Sequence, residues 1–259
     1  MSSAESGSRP HREWDAGTYD VISDPMTRWG VAVLDRLVLD GSETVLDAGC
    51  GSGRVTEHLL DRLPHGHVVA LDASPSMLDE AQRRLGRFGD RVTFLPADLL
   101  DLEPELLAGR PPVDAVLSTA TFHWVLDHDL LFRNLAAVMR PGAVIEAQCG
   151  AEGNIAGLLE AVRKVGGERA GTWVYASPED TRRRLLEAGF TEVDVWTHPE
   201  PTPIEPGEAL ETYLATVCLR VHVADMDDDE RHRFLSAVAA AMPEPVIDYL
   251  RLNISARRG

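Results

Sequence analysis

The segment 45–54, with the sequence VLDAGCGSGR, combines residue types that suit a ligand-binding turn. A short apolar run ends in an acid, Asp47, and glycines then recur at alternate positions. Glycine adopts backbone conformations that other residues avoid, and it lets a ligand approach the main chain closely. A helix predicted over 55–63 follows, and the N–H groups at its start can face the polar groups of a ligand. The residues of this turn are Gly49, Cys50, Gly51 and Gly53.

The glycine spacing differs from the dinucleotide-binding fingerprint. That fingerprint, G-x-G-x-x-G, places a pyrophosphate at the start of a helix. Here the third glycine is Gly53, and the position where the fingerprint has its last glycine is Arg54. The carboxylate of Asp47 would repel a phosphate but suits a ligand that carries an ammonium group. The segment therefore disfavours a nicotinamide-dependent oxidoreductase, which would share the predicted sheet.

Acids also follow the next two predicted strands. Asp72 closes the strand predicted at 67–71, and Asp98 comes just past the strand predicted at 92–95. A carboxylate at such a strand end can accept hydrogen bonds from both hydroxyls of a ribose. Each acid also has a plainer explanation. Asp72 could cap the next helix, although Ser74 is the better cap, and Asp98 could be an ordinary loop carboxylate.

The elements that position these residues alternate regularly along the chain. Strands are predicted at 44–47, 67–71, 92–95, 113–118 and 143–149, with helices between them. This alternation is typical of a parallel sheet with helices on both faces, where ligands bind beyond the carboxyl ends of the strands. The glycine turn, Asp47, Asp72, Asp98 and Ser118 all fall at those ends. Their shared placement is the main argument for a single site.

Three motifs carry a resemblance to a known family. The pattern D-x-G-C-G-x-G resembles motif I of the class I S-adenosylmethionine (SAM) dependent methyltransferases. Residues 72–78, DASPSML, match the D-x-S-x-x-M-L pattern of this group, and the W-D-x-x-x-Y segment at 14–19 precedes the first helix in many of its small-molecule members. Residues 118–129 resemble the branch that includes trans-aconitate methyltransferases, although relatives often have Asn where this chain has Thr119. The resemblance covers most of the chain.

The resemblance implies SAM as the cofactor and assigns residues to it. Asp72 would hold the ribose, Met77 would pack on the adenine, and Asp98 would take the adenine amino group. Trp14 and Tyr19 would belong to a lid over the cofactor, or else fasten their segment onto the core. The expected cofactor-binding residues are Trp14, Tyr19, Asp47, Gly49, Cys50, Gly51, Gly53, Asp72, Ala73, Met77, Ala97, Asp98, Leu99 and Ser118.

The fold that the resemblance implies is α/β. It is a Rossmann-like, doubly wound, mostly parallel seven-stranded sheet with an antiparallel C-terminal strand and a small helical cap. We expect residues 1–12 to be disordered. Residues 13–259 should form a single class I methyltransferase domain with cap insertions at about 151–176 and 203–245.

Further element boundaries follow from local patterns. An amphipathic helix is predicted at 26–39, and two further helices are predicted at 207–221 and 227–241. Alternating strands are predicted at 190–197 and 249–256. The stretch 198–206 between the strand and the following helix contains four prolines, which predicts a linker.

The methyl acceptor decides which further residues are needed. Transfer from SAM is an in-line displacement, so the enzyme mainly positions the nucleophile and excludes water. A carboxylic acid, with a pKa near ~4, is ionised at neutral pH and needs no base but needs cationic anchors. Arg220 is the first candidate and Arg169 the second, although either could be a solvated surface charge. A hydroxyl, amine or carbon acceptor would need a base, for which His123 is the candidate, unless it simply walls the pocket with Phe122 and Trp124.

We therefore expect a SAM-dependent methyltransferase that acts on a small molecule, with a trans-aconitate-like carboxylate oxygen as the acceptor. His123 and Arg220 are the catalytic candidates, and no metal is predicted. One alternative is an O-, N- or C-methyltransferase of a natural product that uses His123 as its base. Another is a SAM-binding module without catalysis, and the nicotinamide-dependent oxidoreductase is a third.

Composition limits the partners of the chain. Its formal net charge is −17, from 25 Lys and Arg against 42 Asp and Glu, which disfavours nucleic acids and anionic membrane surfaces. No apolar run reaches the roughly 20 residues that span a bilayer. Residues 1–12 lack the hydrophobic centre of a signal peptide, and the three cysteines are widely spaced. We expect a cytoplasmic protein with reduced thiols, and the sequence does not predict its oligomeric state.

Overall fold

A computed structural model describes residues 24–107, 109–110, 112–167 and 173–259. Within these ranges, seven strands form one sheet: β1 Thr44–Ala48, β2 His67–Asp72, β3 Val92–Pro96, β4 Val113–Thr119, β5 Met139–Gly150, β6 Phe190–Pro203 and β7 Val246–Arg258. The α-helices of the same ranges are α1 Asp24–Leu34, α2 Arg54–Asp61, α3 Pro75–Leu85, α4 His128–Val138, α5 Ala156–Lys164, α6 Pro178–Glu187, α7 Glu208–Tyr213, α8 Arg220–Val223 and α9 Asp228–Ala241.

The sheet confirms the predicted fold class. Its strand order is β3-β2-β1-β4-β5-β7-β6, in which β1 to β5 pair in parallel. Strand β7 lies between β5 and β6 and is antiparallel to both. The order reverses between β1 and β4, and such a switch point leaves a crevice at the carboxyl ends of the strands.

The sheet is covered on both faces because its strands are apolar at successive residues. In β1, Val45 packs into one buried cluster and Leu46 into the cluster on the opposite face. This double burial is typical of parallel strands. A third buried cluster contains residues of helices α5, α7, α8 and α9, together with Trp29 of α1 and Tyr249 of β7. The helices of this third cluster form the small helical cap, and the division of the chain into inserted segments stays a prediction.

Local capping explains where several helices begin. Ser74 is the N-cap of α3, with its side chain accepting a hydrogen bond from the N–H of Met77, and Pro75 follows in the first turn. The structure thus confirms Ser74 as the cap. Helix α9 begins with a capping box in which Asp227 and Glu230 exchange side-chain and backbone hydrogen bonds. The acidic run at 227–230 therefore stabilises a helix start.

The predicted linker at 198–206 is wrong for most of its length, because β6 continues to Pro203. Pro199, Pro201 and Pro203 lie opposite Leu250, Asp248 and Val246 of β7. Strand β6 is at the edge of the sheet. Alternate residues of an edge strand direct their nitrogens away from the neighbouring strand, so a proline there costs no ladder hydrogen bond.

Two helix predictions are also too long. The first helix ends at Leu34, and the chain continues through a turn. The helix predicted at 207–221 is divided into α7, a π-helical segment at Leu214–Cys218 and α8, because Leu219 leaves helical geometry at φ −118°. Among the residues that the structure describes, no helix has the length and apolar character to cross a membrane.

Candidate active site

A cavity of about 770 Å³ opens beyond the carboxyl ends of β1 to β4. Its walls come from the loops after these strands, at 49–52, 72–74, 97–100, 119–121 and 124–127, and from the first turns of α1, α2, α3 and α4. The volume lies within the roughly 300–1,000 Å³ that small-molecule sites occupy. The structure therefore brings the predicted strand-end residues to one site.

Nine of the predicted cofactor residues line this cavity: Gly49, Cys50, Gly51, Asp72, Ala73, Met77, Ala97, Asp98 and Leu99. Asp47, Gly53 and Ser118 lie behind the walls. Trp14 and Tyr19 fall outside the described residues, so the lid prediction remains a prediction.

The three glycines of the turn have positive φ angles but different surroundings. A Cβ on Gly49 would lie 2.2 Å from Oγ1 of Thr121, and one on Gly53 would lie 3.0 Å from Cδ1 of Leu85. A Cβ on Gly51, at φ +54°, would meet nothing within 4 Å. Gly49 and Gly53 therefore permit close packing of the protein itself, whereas Gly51 leaves space beside the cavity for a ligand.

The backbone N–H groups of this turn are already engaged. Those of Gly49 and Cys50 donate to the carbonyl oxygen of Leu71, and that of Gly53 donates to the carbonyl oxygen of Cys50. The N–H of Gly51 donates to Oδ2 of Asp72 at 2.9 Å. These four N–H groups are engaged within the protein, and the expectation that N–H groups at the start of α2 face a ligand stays a prediction.

Asp72 is held rigidly at the end of β2. Its Oδ2 accepts the hydrogen bond from Gly51, and its Oδ1 accepts one from the N–H of Ser74 at 2.9 Å. Burial raises the pKa of this carboxyl, while the backbone donors oppose the shift. Each oxygen keeps capacity for a second hydrogen bond, as two adjacent hydroxyls of a ribose would require.

Asp98 sits past β3, where its carboxylate accepts a hydrogen bond from the N–H of Leu100 at 2.8 Å. It caps a short 3₁₀ turn that begins at Leu99. Leu99 and Met77 contribute apolar surface to the same cavity. Acceptor oxygens beside apolar side chains fit a nucleoside base with an exocyclic amino group.

Asp47 and Ser118 support the site from behind. Asp47 is buried and accepts a hydrogen bond from the hydroxyl of Thr56 at 2.7 Å, which joins β1 to α2. Burial raises the pKa of Asp47 to about 7, against the opposing hydrogen bond from Thr56 and with a smaller contribution from the charge of nearby Asp72. Ser118 is buried and donates to the carbonyl oxygen of Ala48 at 2.7 Å, which joins β4 to β1.

His123 belongs to an aromatic cluster next to the cavity. The cluster comprises His123, Trp124, Trp173, Tyr175 and His222, whose neighbouring ring centroids lie 4.8–5.9 Å apart. Only Trp124 of these reaches the cavity wall, among the described residues. Nδ1 of His123 accepts a hydrogen bond from the N–H of Gly150 at 3.3 Å, so the neutral ring carries its proton on Nε2.

The structure describes one of the two arginine candidates for the acceptor. Arg220 is the first residue of α8 and is absent from the lining of the cavity. Arg169 falls outside the described residues.

Sequence reasoning missed Arg54, Thr27 and Thr121, which all line the cavity. Arg54 directly follows the glycine turn, and this adjacency was the available signal. The hydroxyl of Thr121 lies 3.2 Å from the carbonyl oxygen of Gly49 and fastens the loop after β4 to the glycine turn. The neighbouring residue Ala120 has a left-handed φ of +56°, which no sequence pattern predicts.

The residues present fit SAM. Asp72 offers two acceptor oxygens at the position expected for ribose hydroxyls. Gly51 leaves open space at the turn, and Met77 and Leu99 offer apolar surface near Asp98. Among the described residues, no three His, Cys, Asp or Glu side chains are grouped so as to hold a metal ion.

Comparisons with known proteins agree with the predicted class of enzyme. Residues 45–142 match the family described as "Methyltransferase domain". A trans-aconitate 2-methyltransferase of Methylobacterium nodulans is 29% identical over 95% of this chain and 98% of its own length. The trans-aconitate 2-methyltransferase of Azoarcus sp. is 27% identical over 88% of this chain and 89% of its own.

Solved structures share the fold. Haemonchus contortus phosphoethanolamine N-methyltransferase 2, in complex with SAM, superposes with a TM-score of 0.63 at 18% identity, covering 94% of this chain and 56% of that chain. This chain thus spans little more than half of the Haemonchus protein. A putative methyltransferase from Bacillus halodurans has a TM-score of 0.59 at 16% identity, covering 88% of this chain and 98% of its own.

The fold, the strand-end site and these matches define the chain as a SAM-dependent methyltransferase with a Rossmann-like domain. Over nearly its whole length it is similar to the trans-aconitate 2-methyltransferases. The chain is therefore assigned to the methyltransferases and not to the nicotinamide-dependent oxidoreductases, which were an alternative from the sequence.

Proposed function

We propose that this enzyme transfers the methyl group of SAM to a carboxylate oxygen of a small organic acid, with trans-aconitate as the first acid to test. The observation that carries the proposal is the similarity to proteins named trans-aconitate 2-methyltransferase, which extends over 95% of this chain. The similarity therefore covers the cap helices as well as the nucleotide-binding half.

The chemistry of the cavity supports an acceptor that needs no deprotonation. Among the described lining residues there is no histidine, tyrosine or lysine. The thiol of Cys50 is a poor base here, because burial raises its pKa well above the ordinary value. An ionised carboxylate can attack a methyl group without losing a proton, so the enzyme needs only to hold it in line.

In this proposal the chain's residues bind and orient. Asp72 holds the ribose hydroxyls, Asp98 takes the adenine amino group, and Met77 and Leu99 cover the base. Gly51 lets the cofactor lie against the main chain. When bound, SAM would supply a methyl group on a positively charged sulfur; an acceptor oxygen that attacks this methyl carbon forms the new O–C bond as the S–C bond breaks, and S-adenosylhomocysteine leaves.

A second candidate is methyl transfer to a hydroxyl, amine or carbon acceptor with His123 as the base. Proximity favours it, since Trp124 of the same turn lines the cavity. Against it stands the hydrogen bond from Gly150 to Nδ1, which leaves a protonated Nε2 in the neutral ring. A base would need this hydrogen bond broken or the ring reoriented.

The test is transfer of labelled methyl from SAM to a panel of trans-aconitate, related di- and tricarboxylic acids, phenols and amines. We expect label in the acids, released as methanol by mild alkali, because methyl esters hydrolyse where methyl ethers and methylamines do not. Label only in phenols or amines would contradict the carboxylate proposal. Binding of SAM without transfer to any acceptor would favour a non-catalytic module.

A further inference from the structure

We propose that Gly30 of α1 is a positioning residue that shapes the part of the cavity where the methyl acceptor enters. Gly30 is buried and lies in the interior of the helix. Glycine is a poor helix former, and alanine would be the better residue at an ordinary helical position. The glycine therefore has to be explained by what lies beside the helix.

The helix α1 lies unusually close to two residues of the cavity wall. A Cβ on Gly30 would lie 2.5 Å from Cγ2 of Val55, the second residue of α2. It would also lie 3.5 Å from Cγ2 and from Oγ1 of Thr119, the last residue of β4. Val55 and Thr119 both line the cavity. The missing side chain at position 30 thus lets the helix backbone rest directly on this wall.

A side chain at position 30 would change the cavity, whichever neighbour gave way. Val55 is β-branched and lies in a helix, where its side chain has one strongly preferred rotamer. If Val55 turned aside, its methyl groups would move within the wall. If α1 moved instead, Met26 and Thr27 would move with it, and both line the cavity one turn earlier. The helix is also held from the cap, because the ring of Trp29 packs against that of Tyr249 with centroids 5.2 Å apart.

The strand order relates this wall to the proposed ligands. The strands follow the order β3-β2-β1-β4, so Asp98, Asp72, the glycine turn and Thr119 succeed one another along the carboxyl edge. With the base at Asp98 and the ribose at Asp72, the sulfur and the acceptor lie toward Thr119, and this step rests on the proposed function. An in-line displacement needs aligned atoms, and a misplacement of about 1 Å can cost about a hundredfold in rate.

The experiment compares wild type, Gly30→Ala, Val55→Ala and the double variant. Methyl transfer is measured with the best acceptor of the panel described above. Calorimetry is run with S-adenosylhomocysteine and with 5′-methylthioadenosine, which lacks the amino-acid tail. Circular dichroism confirms that each variant is folded.

We expect Gly30→Ala to lower kcat/KM for the acceptor roughly ten- to hundredfold. It should weaken S-adenosylhomocysteine about three- to tenfold and leave 5′-methylthioadenosine within about twofold, because the nucleoside part is bound at a separate place. The double variant should recover much of the loss, since the methyl group added at position 30 takes the space that Cγ2 of Val55 leaves.

Gly86→Ala is the matched control. Gly86 also has helical backbone angles, with φ at −54°, and a Cβ there would meet nothing within 4 Å. It follows the last residue of α3, is exposed and is absent from the cavity lining, so this variant should behave as wild type.

The inference is overturned if Gly30→Ala keeps the kinetics and both affinities of wild type, if it weakens both nucleosides equally, or if the double variant is no better than Gly30→Ala. Failure of the proposed function looks different, because wild type would then methylate a phenol or an amine but no acid, and the comparison would use that acceptor. If wild type methylates nothing, the ratio of the two nucleoside affinities decides the inference.

Discussion

The cofactor side of the site and the aromatic cluster beside it are built by different means. On the cofactor side, the groups that face the cavity follow directly from strand ends, and short backbone hydrogen bonds hold them, such as that between Gly51 and Asp72. In the aromatic cluster, Trp124, Trp173 and His222 come from distant parts of the chain and meet through ring contacts. Local backbone geometry thus fixes one side, whereas long-range packing fixes the other.

The difference teaches which substitutions should be severe. Rigid, charged groups held by the backbone cannot be replaced without leaving donors unpaired, so losses on the cofactor side should be large. Rings packed against one another can be exchanged for others of similar shape, so losses there should be small.

Asp72→Ala should give the largest effect. It removes the acceptors of two backbone N–H groups and the proposed acceptor of the ribose hydroxyls, so we expect the affinity for S-adenosylhomocysteine to fall roughly a hundredfold or more. Calorimetry measures this, with circular dichroism to confirm folding. Asp61→Ala, at the exposed end of α2, removes the same charge away from the site and should bind normally. Unchanged binding in Asp72→Ala would refute the cofactor site as described.

Gly51→Ala should weaken the same ligand about tenfold, because its methyl group would take space beside the cavity. Gly142→Ala is the matched control, since Gly142 also has a positive φ and open surroundings but lies at the amino end of the sheet. Both variants should lose about 1 kcal/mol of stability from the left-handed backbone. Equal binding by the two variants would show that Gly51 does not face the ligand.

The stability of the ligand-free enzyme should fall as pH rises from about 4 to about 7. The pKa of Asp47 is raised by burial to about 7, so the unfolded chain loses this proton first and the folded state resists ionisation. Asp47→Asn keeps an acceptor for Thr56 and should flatten this part of the profile. The measurement is the melting temperature of wild type and of Asp47→Asn from pH 5 to pH 8. Parallel profiles of the two proteins would contradict the raised pKa of Asp47.

His123→Gln should have the smallest effect on turnover with a carboxylic acid, less than about threefold. Loss of a general base lowers turnover roughly 10²–10⁴-fold. The size of the effect therefore distinguishes a His123 that acts as the base from a His123 that only packs in the aromatic cluster. The measurement is kcat across pH 5.5 to 8.5, which should be equally flat in wild type and variant. A large loss with a new pH dependence would instead assign His123 as the base.

Sequence alone predicted the parts of the fold that depend on local patterns. The helix at 75–85 was bounded correctly because Ser74 and Pro75 mark its start, and the strands near Asp47 and Asp72 follow from unbroken apolar runs. The sequence-based prediction was wrong at 198–203, because a strand tolerates proline only where its nitrogens face away from a neighbouring strand, as at the edge of a sheet. That property belongs to the whole sheet.

The site divides in the same way. Residues that follow a strand end, such as Asp98, were found because their position in the chain fixes their position in space. The orientation of Asp47 toward Thr56 and the left-handed turn at Ala120 depend on contacts between separate segments. Such contacts leave no local periodicity, so a single sequence does not reveal them.

The alternating prolines of β6 also bear on how copies of this enzyme can meet. An edge strand normally offers N–H and carbonyl groups with which a second chain can extend the sheet. Along 199–203, the nitrogens that point outward belong to Pro199, Pro201 and Pro203 and carry no hydrogen, so a docking strand would find no matching donors there. We therefore expect this rim to resist sheet-to-sheet polymerisation, and any dimer of the enzyme to use another surface.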